Sequence, residues 1–183
     1  DVDRCPTLGD SIVRYDLGSG SRTWRYEEDP EFYTCNLALR TESVRQAGGF
    51  DVTLGHRGSD RGGGEDSWMI KSLSQRGDQG WYAADAVLRH PVTADRLTRA
   101  HAQAFAWWQG RLGVLMLQRK HADDQHRQGK TPRWLYRVAF TELLTGLRQW
   151  FVGTVSRDPG LAFTGQFTML FNLSKLWHAT LGK

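Results

Sequence analysis

The spacing of apolar and polar positions changes character about halfway along the chain. Before Pro91, apolar residues come in short runs separated by glycine-rich or charged stretches. Residues 12–15 and 32–40 read as strands, and so do residues 80–84 and 86–90, the last run being stopped by Pro91. Thr41 as an N-cap predicts a short helix over 42–47, with Gly48 in the left-handed position beyond it. A second helix is predicted behind Asp66 and closes at Gly77. From Thr93 onward the period is helical, with Leu97, Ala100, Ala104 and Leu115 on one face. A polar break covers residues 121–131. Pro132 then opens a helix carrying Leu135, Val138, Leu143 and Leu147. Asp158, Pro159 and Gly160 make a turn into a final apolar segment. Gln166, Asn172, Lys175 and His178 interrupt that segment, which makes it too polar for a secure membrane span.

Composition narrows the class. A chain of 183 residues suits one domain, or most of one. An apolar content of 39% excludes global disorder. The two cysteines, Cys5 and Cys35, lack CxxC spacing, so neither a zinc knuckle nor a disulfide-dense secreted fold is expected. Two free thiols in a reducing compartment are favoured over a Cys5–Cys35 bridge. No signal peptide opens the chain, and a first residue that is Asp rather than Met reads as a chain processed or cut from a longer one. Residues 1–92 carry 11 Lys+Arg against 15 Asp+Glu, whereas residues 93–183 carry 13 against 5. An acidic, glycine-rich half and a basic, Trp-rich helical half point to two jobs.

The sharpest chemical signal is Gly62-Gly63-Gly64-Glu65-Asp66 in front of a helix. Helix-start amides favour negative charge, and glycines let backbone and substrate approach closely. A carboxylate held there can take a proton from a substrate hydroxyl. The plain alternative is an acid-decorated helix start, although such a cap needs no triple-glycine loop. His90 closes an apolar run; it is either a surface histidine or, near a metal, a ligand. Asn36 in an otherwise apolar segment either ties a loop down or touches substrate. Gly48-Gly49-Phe50-Asp51 reads by itself as a helix stop with a core Phe. Asp1-Val2-Asp3 has no apolar strand in front of it to support metal binding.

Taken in order, Asn36–Arg40, Ala47–Asp51, Leu54-Gly55, Gly63–Asp66, Leu73, Gly77, Tyr82, Ala86 and His90 resemble the C-terminal half of a family 2 glycosyltransferase of the GT-A fold. The likeness covers about residues 30–110. It implies an α/β fold: a partial, Rossmann-like GT-A half over residues 1–92, with an appended α-helical region over 93–183. It also implies inverting transfer of a sugar from a nucleotide-sugar donor to a hydroxyl on a glycan or lipid-linked acceptor. Asp66 would be the catalytic base, supported by Glu65. Asn36, Asp51, Gly63 and Gly64 would line the donor and acceptor pocket, and His90 would help hold Mg²⁺ or Mn²⁺ on the donor diphosphate. Trp68, just past the acids, is our own addition as a sugar-stacking ring.

The nucleotide half of that family, ending in Asp-x-Asp after a buried strand, has no counterpart here, and Asp1-Val2-Asp3 stands too near Asn36 to be it. The chain is therefore expected to be a fragment, to receive its nucleotide site from a partner chain, or to serve another use. The rival readings are a non-catalytic binding module and a membrane-associated scaffold. Many relatives act at the cytoplasmic face of a membrane on envelope polysaccharide. A peripheral cytoplasmic location is expected on that basis, with Arg133, Arg137 and Arg148 at an anionic lipid surface. No nucleic-acid reader motif occurs.

Overall fold

The computed structural model describes residues 15–55, 63–123 and 131–181. The expectations placed on Asp1-Val2-Asp3, Cys5, residues 12–14, Gly62 and residues 124–130 of the polar break lie outside that range. Among the described residues, one compact unit ends at Pro91 and another begins at Val92.

The expected α/β, Rossmann-like architecture is not what these residues form. The described residues build five α-helices and a single two-stranded antiparallel sheet, with no parallel pairing. Strand β1, Arg22–Trp24, pairs with β2, Gly80–Tyr82, setting Arg22 opposite Tyr82 and Trp24 opposite Gly80. Residues 32–40 are not a strand; they form a loop with one 3₁₀ turn over Thr34–Asn36. Residues 86–90 have no regular structure, and Val87 and Leu88 are exposed. A strand needs a neighbour to take up its backbone groups, and no described segment lines up beside either run.

In the first unit, α1 spans Thr41–Gln46 and α2 spans Glu65–Gln75. Gly48 and Gly77 beyond them adopt left-handed φ of 89° and 87°, which stops each helix at little steric cost. Helix α2 buries Met69, Ile70 and Leu73 on one face, alongside buried Leu54 and Trp24. The Trp24 indole lies across Gly80, where a Cβ would come 2.5 Å from Cε3. Glycine at that strand position is therefore a packing requirement. Ser43 donates to Asp78 at 2.7 Å, joining α1 to the end of α2.

The second unit holds α3 (Arg99–Asp123), α4 (Arg133–Val155) and α5 (Pro159–Thr180). Pro132, in extended conformation, is the residue before α4, and the Asp158 carboxylate accepts from the amides of Gly160 and Leu161 at 3.0 Å, starting α5. Helix α5 packs against both other helices. The α4–α5 contact runs through Gly146, Gly153 and Gly165, whose missing side chains let the two backbones touch. Gly110 of α3 does the same against the Phe171 carbonyl and the Ser174 side chain of α5. Ala102, Ala106, Val114, Leu135, Ala139 and Phe163 are the buried apolar residues of these helices among the described residues. The Tyr136 hydroxyl donates to the Ala179 carbonyl at 2.8 Å, and Ser174 donates to the Trp107 carbonyl.

Candidate functional site

The acidic pair sits where the sequence puts it, in the first turn of α2. Gly64 is the residue before that turn and adopts φ 78°, ψ 4°, a left-handed conformation open mainly to glycine. Gly64 is also buried, and Gly63 beside it is half-buried. Gly64 therefore serves local geometry at the helix entrance. The Glu65 carboxyl group packs against Gly55, itself at φ 84°, where a Cβ would meet Glu65 Cδ at 3.4 Å. Glu65 Oε2 is buried without a hydrogen-bond partner among the described residues.

Asp66 reaches another segment. One carboxylate oxygen accepts from its neighbour Ser67 N at 2.9 Å and the other from Thr34 N at 3.5 Å. Thr34 opens the 3₁₀ turn that carries Asn36. Asn36 in turn donates its amide to the Ala86 carbonyl at 2.6 Å, across 50 residues of sequence. Three segments are thereby joined: the start of α2, the 33–36 turn, and the irregular stretch leading to His90.

A cleft of about 1220 Å³ lies in this unit. Asn36 and His90 line it, together with Tyr15, Tyr33, Trp81 and Tyr82. Glu65, Asp66, Gly63, Gly64, Asp51 and Trp68 do not line it. Asp51 binds its own turn, accepting from the amide and hydroxyl of Thr53 at 2.7 and 2.6 Å. Trp68 is half-buried with the Lys71 ammonium 4.5 Å from its ring centroid.

The aromatic wall is the part of the cleft that sequence reasoning missed. Tyr15 packs at 5.3 Å from Phe32 and 6.0 Å from Tyr82, and Phe32 lies 4.7 Å from Trp24. Burial pushes the Tyr15 phenol up to about 12, and its hydroxyl donates to the Pro30 carbonyl at 3.0 Å. Tyr82 donates to the Gly18 carbonyl at 3.1 Å and accepts from Leu17 N at 3.3 Å. Trp81 stands out into solvent, 61% exposed. The aromatic density of residues 15–33 was the available signal. The folding back of Tyr82 onto it was not visible locally.

No group of three or more His, Cys, Asp or Glu side chains among the described residues is placed to hold a metal ion. His90 is exposed and lines the cleft. Comparison with family models, with curated proteins and with solved structures finds no match for this chain.

Proposed function

We propose that the first unit is the acceptor side of a glycosyl-transfer site, working on a nucleotide-sugar donor and a hydroxyl acceptor with inversion. One observation carries this reading: Asp66 and Asn36 are linked through a single turn beside a cleft walled by aromatic rings. Aromatic faces with a few polar groups are the usual lining of a small-molecule pocket. The apolar face of a pyranose would lie on Tyr33 or Trp81, while Asn36 and the backbone around it would meet its hydroxyls. Asp66 takes the proton from the attacking hydroxyl, which requires that hydroxyl to reach past the 33–36 turn. Glu65 adds negative charge behind it. A Mg²⁺ or Mn²⁺ ion carried in on the donor diphosphate would find an imidazole at His90. The nucleotide itself would be held by a further segment or a partner chain.

A second reading rests on the absence of both acids from the cleft lining: a saccharide-binding module without turnover. Calorimetry with UDP- and GDP-sugars plus Mn²⁺, and separately with glycans, discriminates the two. Heat from a donor, with nucleoside diphosphate released in the presence of acceptor, supports transfer. Asp66→Asn should then lower turnover by about 10²–10⁴-fold while donor binding persists. Heat from glycans, with no nucleoside diphosphate released even when the segment or partner that holds the nucleotide is supplied, moves the case to the binding module. No heat from glycans ends both readings, because both place a saccharide in this cleft.

A further inference from the structure

The strongest feature outside the cleft is the side of α4 turned away from α5. Along α4, Leu135, Ala139, Gly146 and Gly153 are the buried positions. On the opposite side, Phe140, Leu144, Phe151 and Val155 recur at spacings of four, seven and four. They are 57, 51, 62 and 69% exposed. Arg137 and Arg148, both exposed, fall into the same stripe at three- and four-residue steps from those apolar side chains, and exposed Arg133 lies seven residues before Phe140 on the same side. The stripe thus runs the full helix, which at 1.5 Å per residue is about 35 Å long. The single acidic residue of α4, Glu142, lies off the stripe and acts on Lys175 of α5.

We infer that this stripe seats the second unit on an anionic lipid surface, with α4 lying in the interfacial plane. Three features of the face select that occupant. It is apolar and cationic with no carboxylate among its residues, the charge pattern of a helix that sinks Phe, Leu and Val below the headgroups while Arg pairs with phosphate. A second copy meeting it face to face would set guanidinium against guanidinium, which opposes self-association. Finally, no described helix is long and apolar enough to cross a bilayer, so the exposed apolar residues are suited to lying on a membrane and not to spanning one. Trp134 and Trp177, each 53% exposed, lie toward the end of the hairpin where Tyr136 of α4 bonds the Ala179 carbonyl of α5. Interfacial Trp is the usual anchor at headgroup depth. This inference concerns a different unit from the cleft and does not depend on the transfer chemistry.

The test is co-sedimentation of the chain with vesicles of phosphatidylcholine alone and of phosphatidylcholine mixed with phosphatidylglycerol. Binding is expected to the mixed vesicles and to weaken as salt is added. Each guanidinium near such a surface strengthens binding roughly fivefold, so R133Q/R137Q/R148Q together should weaken it about a hundredfold. F140S/F151S should also release the chain from mixed vesicles. All five positions are exposed, and an unchanged far-UV circular dichroism spectrum verifies that each variant folds. Failure of the parent chain to sediment with anionic vesicles overturns the proposal. So does undiminished binding by both variants. A concentration-dependent dimer abolished by the same substitutions, without vesicle binding, would reassign the face to a protein contact.

Discussion

The packing of α4 on α5 can be tested through one atom. Gly165 faces Gly146 and Trp150 across the interface, and a Cβ at position 165 would lie 2.5 Å from Gly146 O and 2.8 Å from Trp150 Cα. Ordinary contact begins near 3.4 Å. Both neighbours are backbone atoms and cannot rotate away, so G165A must push the helices apart by roughly 1 Å. A gap of that size forfeits a quarter to a half of each dispersion contact along the seam, and overpacking of this kind costs about 1–3 kcal/mol. Against it stands the intrinsic gain of Ala over Gly inside a helix, about 1 kcal/mol. The net expectation is a loss of up to about 2 kcal/mol. For a unit of this size, 1 kcal/mol shifts Tm by about 4–8 °C, so Tm should fall by up to about 15 °C and should not rise. Gly113 in α3 is the matched control, since a Cβ there meets only Lys175 Cε at 3.8 Å. G113A keeps the propensity gain without the clash and should raise Tm by a few degrees. Thermal unfolding followed by far-UV circular dichroism on both variants and the parent decides the matter. If G165A raises Tm as G113A does, the two helices do not meet through glycine and the described packing is wrong.

At the entrance to α2, G64A puts a Cβ on a residue at φ 78°. It should cost about 1–2 kcal/mol from the backbone alone, seen as a lower urea midpoint with unchanged slope; no loss would show that the left-handed turn is not required. Lys175 makes a pH prediction. Burial holds its ammonium below the ordinary 10.5, partly offset by Glu142. Because the folded value is the lower one, the unfolded chain binds the extra proton between the two values. The penalty is therefore fully present at neutral pH and disappears as pH rises through the folded value toward 10.5. K175M keeps an unbranched side chain and removes the charge, together with the ammonium contact 4.0 Å from the Phe171 ring centroid. It should raise Tm at pH 7, with the advantage shrinking at alkaline pH, and a lower Tm at pH 7 would contradict the desolvated setting.

The helices of both units were legible because helices are written locally. Pro132, the Asp158-Pro159 pair and the left-handed glycines at 48 and 77 act on backbone within a few residues of themselves. The observed helices accordingly end close to those signals. The strands expected over residues 32–40 and 86–90 failed for the complementary reason. A strand is completed by hydrogen bonds to a distant segment, and an apolar run carries no record of whether such a segment exists. Only residues 80–82 found a partner, in β1.

The site divides along the same line. Glu65 and Asp66 at a helix start, and a glycine in front of them, could be read from five consecutive letters. That Asp66 turns toward Thr34, that Asn36 spends its amide on Ala86, and that aromatic rings and not the acids wall the cleft could not. Those relations depend on how loops far apart in sequence close on one another, and each loop's path is settled by contacts it makes elsewhere. Spacing along the chain therefore determined the helices and the acidic turn. Tertiary packing alone decided which residues share a cleft and which face of α4 is left uncovered.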